Sequence, residues 1–467
     1  MSLPRVLSPT SQGSGLKRPA EPEAATSEEK RCHLDAAPTP EGTEVVRRKR
    51  RKYALLLSYC GKGYLGMQRN PGYRTIEDDL LTAMLHADLM TEEGCTCPQM
   101  FHFQRAARTD KGVSAARQVV SVKLPEDVPV PEMVEKINRH LSNQIRVMAI
   151  RRATKGFNCK SWCDSRTYSY MCPTYAFATT KESTTDDYRI TPEVLEKLRS
   201  VLKLYLGTHN FHNFTARKKA QDASAYRYIM EIDCGEPFER NGLQWVLIKI
   251  KGQSFMLHQI RKMVGLAMAI TRGLVGAEVV SRAWREPRLD VPIAPGLGLV
   301  LEEPHYDKYN KRYGDDGIHE PLTWEDERQK IEEFREKFID STIIETEIRD
   351  NPILHWLSTL SLHHFSSSEN TLPPKATPGP PRKGKGSDNE AEDEDEGDLD
   401  QYRVSSPEKK KETPAVVPGA ETCREMTNGH SESTGEAIAK ETISARTDSD
   451  EKVGEASSAA EVKCPNS

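Results

Sequence analysis

The chain has 467 residues, with 66 Lys and Arg against 70 Asp and Glu, a formal charge of -4, and 36% apolar residues. That length accommodates one large domain or two ordinary ones, and the near-neutral balance excludes a wholly basic nucleic-acid domain. Ten scattered cysteines lack the regular pairing of a small secreted scaffold, and no run approaches the ~20 apolar residues of a membrane span, so a reducing intracellular compartment is expected.

The average charge hides unlike segments: residues 366–467 carry 13 Lys and Arg against 22 Asp and Glu, which leaves residues 1–365 at +5. Any RNA site is therefore expected to be a local patch. Residues 1–46, rich in Pro, Ser, Ala and Glu, are expected to be disordered, as are residues 366–467 with their acidic run from Asp388 to Asp400. One folded domain is expected over residues 47–365, with a first half to about residue 160, a second over 161–303 and a helical extension over 304–365. It opens on six basic residues, Arg47 to Lys52, read first as a nuclear-import signal and otherwise as an RNA-gripping arm or a solvated leader. The nucleus is the expected location. Mitochondrial or cytoplasmic forms stay open, because the first 20 residues carry no acid but are broken by Pro and Gly.

Tyr53 to Tyr59 is an apolar run ended by Gly61 and Gly63, which suits a buried strand. Thr75 and Asp78 fit a capping box for a helix with the apolar stripe Ile76, Leu80, Ala83, Met84 and Ala87. Strands are predicted over Gln118 to Leu124 and Val147 to Arg152, with a helix over Pro131 to Leu141 between them. A helix over Pro192 to Leu206 is stopped by Gly207, and strands follow over Tyr226 to Asp233 and Trp245 to Lys251. Then come a long helix over Phe255 to Arg272 capped by Ser254, a strand over Leu297 to Glu302, and a charged helical region over Glu325 to Asp350. Strands and helices mix without a β-α-β rhythm, so the expected class is α+β, a mixed and largely antiparallel sheet flanked by helices.

Asp110 lies in the polar loop Arg108-Thr-Asp-Lys-Gly112, expected to run into the strand at Gln118. Taken alone, it reads as a turn-capping carboxylate. Arg105, Arg108 and Lys111 stand close in sequence, however, and cations beside a carboxylate favour its ionised form. Such a carboxylate can act as a nucleophile on a sugar carbon. With no second acid nearby, the favoured chemistry is one whose leaving group is kept instead of being lost to water. In Ser165-Arg-Thr-Tyr-Ser-Tyr170, alternation puts Arg166, Tyr168 and Tyr170 on one strand face, which by itself reads as core. From Gly252 to Gly265, Met256, Ile260 and Val264 share one helix face, while His258, Arg261 and Gly265 share another. There Arg261 alone reads as a solvated charge. Cys95, Cys97 and His102 raise a zinc-dependent deaminase, but the only His-x-Glu is His430-Ser-Glu432 in the tail, and no Pro-Cys-x-x-Cys follows. His209 and His212 are read as packing or RNA contacts, and neither metal nor cofactor is expected.

Ala107-Arg-Thr-Asp-Lys-Gly-Val-Ser-Ala115, followed by Gln118-Val-Val120, resembles the catalytic motif of the TruA family of tRNA pseudouridine synthases, and Ala107 and Lys111 resemble its eukaryotic branch. Arg166-Thr-Tyr-Ser-Tyr170, Gly252 to Gly265 and Tyr59 to Gln68 resemble further family motifs, and Phe211 to Thr215 resembles a segment expected to line the cleft. The resemblance spans about Tyr53 to His364, with the motifs in family order. It implies the pseudouridine synthase fold and isomerisation of uridine to pseudouridine in tRNA, with mRNA and other structured RNA as further expected partners, as a monomer or homodimer. It also implies Asp110 as the nucleophile, attacking C1′ or removing the 2′ proton. Tyr168 is implied to lie against the target base and accept the C5 proton, and Arg261 to orient Asp110. Arg108, Lys111, Arg166, Phe255 and His258 are the expected RNA contacts. An RNA-binding or RNA-folding protein on the same scaffold is the alternative. Arg117 departs from the family pattern, which commonly has Gly there, a residue that would permit unusual backbone angles.

Overall fold

The apolar run at Tyr53 to Tyr59 forms most of strand β1 (Arg50–Tyr59). The structure is a computed structural model that describes residues 48–179, 186–216, 218–285 and 288–365; the predictions for residues 1–46 and 366–467 lie outside the described residues. Leu55, Leu56 and Leu57 are fully buried, each contributing about 1.5–3 kcal/mol. Burial of both strand faces explains the lack of polar alternation. Of the basic run before them, Arg48, Arg50, Arg51 and Lys52 are built into the fold, and Arg47 lies outside the described residues. Arg50 to Lys52 begin β1, Arg48 pairs with Asp88 and Asp127 at 3.0 Å each, Arg51 pairs with Glu126 at 2.8 Å, and buried Lys52 donates to the His102 carbonyl at 2.6 Å.

Helix α1 (Ile76–His86) starts at Thr75, whose hydroxyl accepts from Asp78 N at 3.2 Å, and all five residues of the predicted stripe are buried. The capping box is not reciprocal, since the Asp78 carboxylate takes the Thr75 hydroxyl proton and pairs with Arg69. Next come α2 (Glu92–Thr96), β2 (Gln104–Arg105), β3 (Ser114–Pro125), α3 (Val130–His140) and β4 (Ile145–Arg152). The following stretch runs β5 (Ser165–Pro173), α4 (Pro192–Lys203), β6 (Gly207–Asn210), β7 (Tyr226–Cys234), β8 (Phe238–Arg240), β9 (Leu243–Gly252), α5 (Gln259–Thr271), α6 (Glu278–Ala283) and β10 (Leu299–His305). Helices α7 (Asp307–Tyr313) and α8 (Arg328–Phe334), a π-helical turn (Arg335–Asp340), α9 (Ser341–Asp350) and α10 (Pro352–Thr359) complete the described chain.

The strands form one sheet in the order β4-β1-β3-β10-β5-β9-β7-β6, with β2 on β3 and β8 on β9. Among the described residues, β10 with β3 is the one parallel pairing, so the sheet is mixed and mostly antiparallel as expected of an α+β fold. β10 lies between β3 and β5 and thereby joins the strands of the earlier chain to those of the later chain.

Several boundaries differ from the prediction, three of them as follows. β3 starts at Ser114, because Ala115 pairs with Tyr59 and with Leu301. Helix α4 ends at Lys203, short of Leu206. Helix α5 starts at Gln259 and not at Phe255, since His258 takes a left-handed conformation, φ 59°. Tertiary packing overrides the apparent Ser254 cap: the Phe255 ring turns onto Tyr168, and the Gln259 side chain accepts from Met256 N at 2.9 Å. Arg117 occupies a β-bulge, as Leu57 pairs with Gln118 but Tyr59 with Ala115, and the Ser58 hydroxyl bonds the Ala116 carbonyl at 2.5 Å. Its φ is not positive, so the strand accepts Arg there without a glycine's freedom.

Candidate active site

Asp110 opens a turn closed by Val113 N donating to the Asp110 carbonyl at 3.1 Å. Its third residue, Gly112, has φ 73°, a conformation that favours glycine. The spacing Asp-Lys-Gly is thus what this geometry requires at the mouth of β3. Residues just before the turn are pinned from two sides. Gln118 on β3 reaches back to accept from Ala107 N at 3.2 Å and to donate to the Ala107 carbonyl at 2.8 Å. Thr109 Oγ1 shares a 2.8 Å hydrogen bond with the Tyr59 hydroxyl, and burial pushes the Tyr59 phenol up to about 12, so it stays neutral in that bond. From the other side, Met67 N donates to the Thr109 carbonyl and Gly112 N to the Tyr64 carbonyl, both at 3.1 Å. Gly66 makes this approach possible: its φ is 116°, and an added Cβ would stand 2.5 Å from the Thr109 oxygen. The Asp110 carboxylate emerges from this scaffold 27% exposed, with His258 Nε2 3.9 Å from its Oδ2.

Tyr168 approaches from β5, with register partners Leu301 and Ile250. It is 7% exposed, and Phe255 meets its ring edge-on at 5.3 Å. Burial holds the phenol well above its ordinary range, and the nearby Asp110 charge pushes the same way. Tyr168 and Asp110 therefore belong to one electrostatic environment in which the phenol stays protonated. Alternation along β5 holds as predicted: Tyr170 bonds the Pro295 carbonyl at 2.8 Å on this face, while Thr167 meets His305 and Ser169 meets Glu302 on the other.

Arg261 projects from the first turn of α5, half-buried, and its Nε donates to the Ala294 carbonyl at 2.7 Å. Among the described residues it forms no ion pair with Asp110. It does flank the Asp110 turn, since a Cβ added at Gly296 would lie 3.7 Å from both the Arg261 Cζ and the Lys111 carbonyl oxygen. The segment from Ala294 to Gly296 thus joins Arg261 to the turn, a contribution that sequence reading missed although its Pro and Gly residues marked a loop.

Other predicted residues fall elsewhere. Arg166 ties strands together, donating to the Ala106 carbonyl at 2.7 and 3.2 Å and to the Gln253 carbonyl at 3.1 Å. It acts as a strap between these strands, with its Nη1 bond to Gln253 at the exposed surface. Arg105 pairs with buried Glu77 at 3.0 Å and does not surround Asp110. Arg108 is exposed and Lys111 half-buried at the turn, where both were expected. Phe211 to Thr215 does not line a cleft: all five residues are buried, and Phe211, Phe214 and His209 pack around Trp284. Among the described residues, no three His, Cys, Asp or Glu side chains group as metal ligands, and no helix is long and apolar enough to cross a membrane.

A mixed, mostly antiparallel sheet that carries Asp110 at a strand mouth with Tyr168 and Arg261 beside it fits the class of the pseudouridine synthases, which are isomerases. Comparison with known proteins agrees. The profile of the tRNA pseudouridine synthase family matches residues 201–307, which include Phe255, His258 and Arg261. The chain is 51% identical to a pseudouridylate synthase 1 homolog of Mus musculus over 323 residues, 68% of this chain and 76% of the relative. It is likewise 51% identical to a Homo sapiens protein of the same name over 318 residues, 67% of this chain and 74% of that one. A tRNA pseudouridine synthase 1 of Yarrowia lipolytica is 36% identical over 380 residues, 63% of this chain and 71% of the relative. The chain belongs to the tRNA pseudouridine synthase family.

Proposed function

We propose that the chain converts uridine to pseudouridine in tRNA and in other structured RNA, mRNA included, with Asp110 as the nucleophile. The observation that carries this reading is the Asp110 turn, whose backbone is held by hydrogen bonds on both sides while its carboxylate is partly exposed and shares its field with the buried Tyr168 phenol. The reaction breaks the bond from uracil N1 to ribose C1′, turns the base and joins C1′ to C5. The C5 proton leaves and N1 gains one, so atoms and electrons balance without a redox partner. Attack on C1′ and removal of the 2′ proton both place the carboxylate against the same edge of the ribose, a position that a rigid turn can hold.

The target uridine must leave its stack to reach Asp110, at a cost of a few kcal/mol. Tyr168 and Phe255 offer the freed base an aromatic wall. Because burial keeps the Tyr168 phenol protonated, it works as a neutral hydrogen-bonding group, and it accepts the C5 proton only as its own proton moves on. Arg261 is assigned to closing on Asp110 when RNA fills the site, since its guanidinium already lies beside the turn. Arg108, Lys111 and His258 line the same mouth and are assigned to RNA phosphates and ribose, giving binding that weakens with salt.

The test compares wild type with Asp110→Ala on a uridine-containing tRNA, measuring pseudouridine yield and RNA affinity separately. Loss of yield with affinity retained supports the reading. An unchanged yield removes it, and loss of affinity alone favours a binding protein on the same scaffold.

A further inference from the structure

Behind the Tyr168 strand, two acids share one half-buried guanidinium. Glu302 is 9% exposed in β10, a central strand, where a carboxylate is out of place unless something holds it. It sits in a bulge: Leu301 pairs with Tyr168 and Glu303 with Thr167, so Glu302 is the extra residue. Its carboxylate accepts the Ser169 hydroxyl and two hydrogen bonds from Arg335 Nη1, at 2.5 and 2.6 Å. Arg335 Nε bonds Asp340 at 3.2 and 3.3 Å. Arg335 and Asp340 begin and end the π-helical turn, whose wider winding brings residues five apart onto one face, whereas an α-helix brings together residues three or four apart.

The position of this bulge matters for the site. One neighbour of β10 is the start of β3, paired at Ser114 and Ala115 directly after the Asp110 turn; the other is β5 at Tyr168. The register of β10 therefore sets how far Asp110 stands from Tyr168. The same helical segment also reaches the Asp110 scaffold, with Thr342 bonded to Cys60 at 3.6 Å and Thr346 to Lys62 Nζ at 3.1 Å.

We propose that Arg335 is a positioning residue for the isomerisation: by holding Glu302 in its bulge from the π-helical turn, it fixes the register of β10 and with it the spacing of Asp110 and Tyr168. This inference rests on Asp110 and Tyr168 being the working groups. Three variants of the full chain test it: Arg335→Met, Arg335→Lys, and Arg335→Met combined with Glu302→Gln, which removes the charge stranded in the sheet and leaves only Asp340, on the partly exposed helical turn, without its partner. Single-turnover pseudouridine formation at saturating tRNA, tRNA affinity and melting midpoint are measured for each. The double variant is expected to react about tenfold slower than wild type at near-native affinity, with Arg335→Lys intermediate and Arg335→Met at least as slow as the double. A double variant that reacts at the wild-type rate overturns the proposal, as does a loss confined to affinity. Should Arg335→Met fail to fold, the double variant and Arg335→Lys still decide. An Asp110→Ala chain that still forms pseudouridine removes the reading of the site itself, whatever Arg335 does, so the two failures are told apart.

Discussion

The Asp110 wall and the Tyr168 wall of the site are held by different forces. Asp110 is fixed through its backbone, by Gln118, Tyr59 through Thr109, Met67 and Tyr64, while its carboxylate stays partly exposed. Tyr168 is fixed by burial, between strand neighbours and the edge of Phe255, and its hydroxyl has no hydrogen-bond partner among the described residues. The difference follows from charge. A carboxylate is costly to bury without polar partners, so polar groups set the position of the turn that carries it, whereas a neutral phenol tolerates a dry setting.

The sharpest way to break this comparison is Asp110→Asn, which keeps shape and removes charge. It is expected to lower single-turnover pseudouridine formation by on the order of 10⁴-fold or more, with tRNA affinity retained; near-native turnover means the turn positions nothing that reacts. Tyr168→Phe keeps the dry ring and deletes the hydroxyl. Its expected loss in rate is about 10²-fold at unchanged melting midpoint. Wild-type turnover should also show no ionisation of this phenol up to about pH 10, because burial holds it above its usual range. Gly66→Ala attacks the polar wall without touching a side chain of the site. With φ 116° and the Thr109 oxygen 2.5 Å from the new Cβ, it should destabilise the chain by about 1–3 kcal/mol and slow turnover by roughly tenfold. Equal turnover and equal melting would show that the close approach of the two loops is dispensable.

Lys52 tests the dry rule on a cation. Burial lowers it from 10.5 to about 8, with Lys123 adding to the shift and Cys159 opposing it. The folded chain releases this proton before the unfolded chain does, so the penalty of burying the charge is constant below about pH 8 and is relieved as pH rises from 8 toward 10.5. Lys52→Met is expected to narrow its difference in melting midpoint from wild type progressively across that window, and a difference independent of pH would count against burial as the cause. This effect is the smallest of the four.

What could be read before folding was local. The Asp-Lys-Gly spacing of the turn, the α1 stripe and the alternation of β5 all lie within one turn or one element, where neighbours in sequence are neighbours in space. What could not be read was distant. Arg105 looked like company for Asp110, but Glu77 takes its guanidinium; nothing local to Arg166 announced its hydrogen bonds to the Ala106 and Gln253 carbonyls. Ser254 looked like a cap because no local signal announces that Phe255 is claimed by Tyr168 on another strand. The segment from Ala294 to Gly296 carries Pro and Gly but no local sign of the arginine it holds.

The parallel seam between β10 and β3 also bears on biosynthesis. Asp110 and Tyr168 are synthesised early, yet the strand that seats them side by side begins at Leu299, and Arg335, which secures its bulge, comes later still. A ribosome that has released only the first two hundred residues therefore carries both groups without an assembled site. Completion waits on a contact far apart along the chain, the kind of pairing that forms slowly. With Asp110 and Tyr168 in the roles proposed, a nascent or truncated chain is expected to stay inactive until nearly the whole fold exists.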